Sequence, residues 1–171
     1  MYKLVLSQRR FSAVLHASHV LDNKTVVVVI SDGFEEETKY TGLCLRAMKE
    51  QRRFEVEKAY KVFGIRQLYH FNQAWRHINY EFITTKLQLL LAVSPFTHFF
   101  YKENGDNRLL TICRKVAGVE KRLVYKTVGE SFYNLDVEEY NRKVQAISKF
   151  VTMDSLIRQS YLDREYIMED V

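Results

Sequence analysis

Thr25-Val26-Val27-Val28-Val29-Ile30-Ser31-Asp32-Gly33 is the stretch that decides the fold. Six β-branched residues run together here and stop at Ser31-Asp32-Gly33. A strand that is apolar on both faces needs cover on both faces, which is the situation of a central strand in a parallel α/β sheet. The run therefore predicts the middle of such a sheet. Open α/β sheets place their ligand crevice just past the carboxyl ends of their strands, so Ser31, Asp32 and Gly33 mark where chemistry is expected.

Around that strand the chain alternates. Tyr2 to Leu6 reads as a first strand, and Ala13, Val14, Ala17, Val20 and Leu21 have helical spacing over Ser12 to Leu21. Asp22-Asn23 turns the chain into the central strand. After Gly33 and the acidic loop Glu35-Glu36-Glu37, a long helix is predicted from Thr41 to Phe63, closed by Gly64. Ile65 to Phe71 is a third strand and Ile78 to Val93 an amphipathic helix. Pro95 stops that helix ahead of a fourth, aromatic strand over Thr97 to Tyr101. Asn104-Gly105-Asp106-Asn107 is a turn, Leu109 to Val116 a helix, and Arg122 to Thr127 a fifth strand. The tail from Val137 to about Glu169 reads as charged helix, with apolar positions at Val144, Ile147, Phe150 and Val151. Parallel neighbours require crossover helices, so the alternation predicts a Rossmann-like three-layer α/β sandwich with a mostly parallel sheet of about five strands.

Composition narrows the classes. The chain has 171 residues, 47% of them apolar, enough for one domain over 1–171 with a sizeable core. A net charge of +5 is spread thinly, without the dense basic stripe of a nucleic-acid binder, so no nucleic-acid partner is expected. No apolar run is long enough to span a membrane, and Tyr2-Lys3-Leu4-Val5-Leu6 opens as a strand without a signal peptide, so a cytoplasmic protein is the expectation. Cys44 and Cys113 form no CxxC pair and are read as reduced and buried. The chain contains no GxGxxG, GxxxxGK[ST] or GxSxG sequence, which argues against dinucleotide, nucleotide-triphosphate and serine-hydrolase sites of the usual kinds.

The runs VVVVISDG, RRFEVEKAYKVFGI and RQLYHF, from the central strand to Phe71, resemble the LmbE/PIG-L-type N-acetylglucosaminyl deacetylases. Ser31-Asp32-Gly33 stands for that family's Thr-Asp-Gly strand end. Arg52, Glu55 and Gly64 fit its Arg-x-x-Glu helix, which is followed nine residues later by glycine. The tail RKVQAISKFVTMDSLI, with Arg164-Glu165-Tyr166, is similar to the family's end. The resemblance implies a zinc-dependent amide hydrolase, with a Pro-His-Pro-Asp-Asp-Glu-like run after the first strand supplying metal ligands and general base. Here that run is Gln8-Arg9-Arg10-Phe11-Ser12-Ala13. Arg9 stands at the histidine position, Phe11 at the base, Ser12 at the second carboxylate and Asn107 at the last histidine. An arginine stays protonated and offers no lone pair, and a phenyl ring accepts no proton. A catalytic zinc needs three protein ligands and an open position.

The expectation is therefore a catalytically inactive relative, with no metal or other cofactor, working as a binding or assembly component. An active deacetylase using zinc through non-standard ligands is the alternative. A sugar-phosphate or nucleotide-binding module is the third reading. The five histidines, His16, His19, His70, His77 and His98, do not form a metal cluster by spacing. His16 and His19 are read as sharing one face of the first helix. Ser31, Asp32, Arg52, Arg9 and Arg10 are the candidate ligand-binding residues, facing one mouth and suited to a sugar or an anionic small molecule. Two guanidinium groups standing in for the dication could hold acidic residues in place, Asp32 among them; the plainer reading pairs Arg52 with Glu55 on one helix face. Phe96, Phe99, Phe100 and Tyr101, with Phe132, Tyr133, Tyr140, Tyr161 and Tyr166 in the tail, suggest an interface with a protein partner or a second copy of the chain.

Overall fold

Lys3-Leu4-Val5-Leu6-Ser7 begins the strand that lies at the middle of the sheet. In the computed structural model, which describes residues 2–31, 42–101, 107–117, 122–123 and 133–152, it forms β1 (Tyr2–Arg9). The elements that follow are α1 (Ser12–Ala17) with a 3-10 turn over Ser18–Val20, β2 (Thr25–Ser31), α2 (Gly42–Lys61), β3 (Gln67–His70) and a 3-10 turn over Trp75–His77. Then come α3 (Tyr80–Val93), β4 (Phe96–Phe100), α4 (Asn107–Ala117), β5 (Arg122–Leu123) and α5 (Val137–Ile147).

The sheet runs β3-β2-β1-β4-β5 and every pairing is parallel. It has four full strands and a two-residue fifth; the rest of the predicted fifth strand lies outside the described residues. The valine run is buried along its whole length, as an interior strand must be. It is not the middle strand, however: β1 is, and β2 lies between β1 and β3. Burial on both faces marks a strand as interior without saying which interior place it takes. β1 also runs farther than expected, because its pairing with β2 continues to Arg9 opposite Ser31.

Side-chain alternation divides the core into two layers. Val5, Val27 and Val29 pack with α1, α2 and α5, including Val14, Tyr60, Ile147 and Phe150. Leu4, Leu6, Val26, Val28 and Ile30 pack with Ile83, Leu87 and Leu91 of α3 and Leu109 and Cys113 of α4. This is the three-layer sandwich the alternation predicts. Phe96, Phe99, Phe100 and Tyr101 are all buried, so they are core rather than interface, because β4 is an interior strand sandwiched by both layers.

Local signals place several boundaries. Gly64 follows α2 with φ +64 and open space where a Cβ would stand, so conformation and not crowding calls for glycine. Asp136 and Glu139 form a reciprocal capping box that starts α5. The helix ends at Ile147 and the chain turns so that Phe150 is buried against Phe11, ring centroids 6.3 Å apart, which interrupts the predicted tail helix; its remainder, from 153 on, lies outside the described residues. His16 lies in α1 and is buried, while His19 lies in the following 3-10 turn and stacks on Tyr133 at 4.2 Å, so the two do not share one helical face. Cys113 is buried as expected; Cys44 is exposed on α2.

Candidate functional site

The junction of β1 and α1 is organised by Ser7. Its Oγ accepts the Tyr60 hydroxyl at 3.1 Å and the Ala13 N–H at 3.1 Å, and donates to the Arg9 carbonyl at 2.6 Å. Serine thus satisfies an open N–H at the start of α1, a task usually given to a capping side chain. Burial pushes the Tyr60 hydroxyl well above its ordinary pKa, outweighing the opposing hydrogen bond with Ser7, so it stays protonated and donates. Ser12 Oγ accepts the Arg9 N–H at 3.2 Å. Phe11 packs on Phe150, with the Arg10 guanidinium 5.6 Å from its ring centroid.

Arg10 and Glu55 meet across the fold. Arg10 Nη1 lies 3.2 Å from Glu55 Oε2, and their side chains are 6% and 2% exposed. The same Nη1 donates to Thr152 Oγ1 at 2.9 Å. Thr152 in turn donates from its hydroxyl to Glu55 Oε2 at 2.7 Å and from its N–H to Oε1 at 3.1 Å, and Gln51 Nε2 reaches Oε1 at 3.3 Å. Glu55 is therefore held by Arg10, Thr152 and Gln51. The Arg52–Glu55 pair that helix spacing suggests does not form, because Glu55 is turned to the end of β1.

Beside this network, the carboxyl ends of β2 and β3 and the face of α2 enclose a cleft of about 370 Å³. Lys49, Arg52, Arg53 and Val56 line one wall, spaced i, i+3, i+4, i+7 as one helical face demands. Arg10 and Val29 form the floor, and His70, Asn72 and Gln73 the opposite rim. Asn72 has φ 52, a left-handed conformation that asparagine tolerates better than most residues. It acts as an extra residue: the Phe71 and Gln73 N–H groups bond the successive carbonyls of Val29 and Ile30 at 2.8 Å each, and Asn72 between them bulges to the rim.

Among the candidate residues, the structure brings Arg10 and Arg52 together at this cleft; Arg9 and Ser31 pair with each other at the strand ends but do not line it. Asn107 is the exposed first residue of α4. Asp32 lies outside the described residues. Lys49, His70, Asn72, Gln73 and Thr152 were not singled out from sequence; the spacing of Lys49 from Arg52 carried a signal, whereas Thr152 had none. No group of three or more His, Cys, Asp or Glu among the described residues has metal-binding geometry. Nor do the residues at the positions the resemblance assigns to zinc fit that ion. Arg9 and Phe11 supply no lone pair, and Ser12 Oγ is engaged with the Arg9 N–H.

No family model and no curated protein matches the chain. Solved structures do. The 4-carboxy-2-hydroxymuconate hydratase GalB of Pseudomonas putida aligns with TM-score 0.73 at 15% identity, over 95% of this chain and 83% of its own. The N,N'-diacetylchitobiose deacetylase of Pyrococcus horikoshii aligns with TM-score 0.70 at 12% identity, over 94% and 73%. The A40926 pseudoaglycone deacetylase Dbv21 aligns with TM-score 0.63 at 15% identity, over 96% and 93%. The chain thus has the α/β fold seen in these structures, one hydratase and two deacetylases. Identities this low carry the fold alone.

Proposed function

We propose that this chain is a catalytically inactive relative of the zinc deacetylases whose fold it shares, working as a binding or assembly protein. The observation that carries this reading is how the segment after β1 is used. Arg10 is committed to a buried ion pair with Glu55 and a bond to Thr152, Phe11 packs on Phe150, and Ser12 holds the Arg9 N–H. The segment after β1 thus ties the strand end to α2 through Arg10 and to Phe150 through Phe11, and of the residues at the metal and base positions Phe11 packs in the core and Ser12 caps a backbone N–H.

Zinc content and acetate release from N-acetylglucosaminyl substrates, measured on full-length protein purified without chelator or metal-affinity tag, test the reading together. Folded protein with well below one zinc per chain and no acetate release agrees with it. Near-stoichiometric zinc with turnover overturns it in favour of an active deacetylase with non-standard ligands. Leu89 and Val93 of α3 are 54% and 76% exposed, an apolar surface in keeping with assembly. The mass of the full chain in solution tests self-association: a dimer or larger supports it, and a monomer at every concentration removes it.

A further inference from the structure

We infer that the β3 edge and the stripe of α3 beside it form a two-fold interface with a second copy of this chain. This rests on the assembly role proposed above and adds to it where the copies meet. Among the described residues β3 pairs with β2 alone, so Gln67–His70 ends the sheet on that side. Such an edge offers a row of backbone donors and acceptors to another strand, and Gln67-Leu68-Tyr69-His70 contains none of the prolines or lysines that commonly block that pairing. Beside the edge runs a groove of about 420 Å³, lined by Tyr69 and Phe71 of the β3 segment and by Phe82, Lys86, Leu89 and Val93 of α3. The four α3 residues recur at i, i+4, i+7 and i+11, which places them on one helical stripe. Leu89 and Val93 are exposed, whereas Leu87 and Leu91 between them are buried in the core.

The level of the stripe against the strand selects the occupant. Phe71 and Phe82, ring centroids 5.7 Å apart, set the end of the β3 segment beside the start of α3, and a crossover helix runs opposite to the strands it joins. Two to three residues back along the strand, at about 3.3 Å each, match roughly four to seven residues of a helix rising about 1.5 Å per residue. The middle of β3, Leu68 and Tyr69, therefore lies level with Lys86 to Leu89. That is also the middle of the stripe: Phe82 and Val93 are equally far from the Leu87–Gln88 bond, and so are Lys86 and Leu89. One two-fold axis thus serves both elements, running β3 antiparallel to its copy and packing α3 on its copy. It sets Lys86 beside the partner's Leu89 and Phe82 beside the partner's Val93, so like charges do not meet and the lysine stem covers apolar surface. An added peptide strand would use the edge but leave the stripe largely bare; a second copy covers both.

Sedimentation equilibrium of the full chain over a dilution series, with amide exchange on the same samples, tests the inference. Wild type is expected to form a dimer. The Leu89→Lys, Val93→Lys double variant alters two exposed positions near the end of α3, where a lysine suits the helix, so the diluted monomer should keep its melting temperature. Its dimer dissociation constant should rise by roughly tenfold or more. Amides of Gln67–His70 should exchange more slowly in the wild-type dimer than in the variant. Leu89→Cys should be joined to its copy by a short bifunctional thiol reagent, and Thr111→Cys, exposed on α4, should not, both in a Cys44→Ser background. A dimer that the double variant leaves intact keeps self-association but overturns this surface, as do equal exchange in β3 and equal cross-linking at Thr111→Cys. A wild type that stays monomeric overturns the second copy. In that case a Leu89→Cys thiol that resists labelling assigns the groove to other residues of the same chain, and one that labels freely leaves it to a different partner. Zinc and acetate release measured on the same preparation keep failure of the inactive-relative reading separate from failure of this one.

Discussion

Arg10→Met would leave the Glu55 carboxylate buried beside Thr152 with its cation gone. Breaking a buried pair from one side costs about 3–5 kcal/mol, whereas replacing both partners by apolar groups is often nearly neutral. Urea unfolding of Arg10→Met should therefore show a loss of that size, and adding Glu55→Met should recover most of it. If the double variant is no more stable than Arg10→Met, the pair is not what Arg10 contributes. The Arg10 half of the idea that guanidinium charge anchors acidic residues thus has a described partner in Glu55, 45 residues away in sequence. Asp22 gives a pH-dependent case. Burial raises its carboxyl pKa, but hydrogen bonds from Lys3, the Lys24 N–H and Thr25, with the Lys3 charge, outweigh that and leave it below its ordinary value of 3.8. A depressed folded-state pKa contributes stability above the unfolded value that is lost as pH falls through the folded one. The advantage of wild type over Lys3→Met should accordingly be full near neutral pH and shrink below about pH 3.8. An advantage that does not change with pH would show that Lys3 acts through packing and its bond to the Val20 carbonyl alone.

Short-range patterning makes the elements, and long-range contacts decide where they stop. The β-branched run of β2, the capping box of α5 and Gly64 after α2 are legible because each depends on residues within a turn or two. The end of α5 is not, since nothing in Ser148-Lys149-Phe150 forbids more helix. The chain turns there because Phe150 finds a buried place against Phe11 and the α1–α2 layer. Phe150→Ala should cost about 3–5 kcal/mol in urea unfolding. It should also raise amide exchange along α5 more than along α3, which lies across the sheet; equal rises in both would mean that α5 docks independently of Phe150. Lys143 of α5, fully buried with its Nζ donating to the Leu15 carbonyl at 2.9 Å, ties the same helix to α1. Charged residues in a helical tail suggest a solvated face, and this lysine shows the opposite arrangement.

Over the whole molecule, the two free cysteines report on global packing. Cys44 is exposed, and Cys113 lies within the α3–α4 layer with its thiol pKa pushed far up by burial. A thiol-specific reagent should label one thiol per folded chain quickly and the second only at the unfolding rate; two fast thiols would mean that this layer opens readily. The interior nature of β2, the α/β alternation and the spacing of Lys49, Arg52 and Arg53 were determined by the sequence alone, because periodicities of two and 3.6 residues are local properties of the chain. That the side chains of Arg9 and Phe11 offer no lone pair was likewise readable from residue chemistry. Only the tertiary structure decided that β1 is the middle strand, that the aromatics of β4 are core, and that Glu55 faces Arg10 and Thr152 rather than Arg52. Thr152 bonds a carboxylate 97 residues away. Such pairings depend on which elements become neighbours, and that is settled by the packing of all the layers at once rather than by any window of sequence.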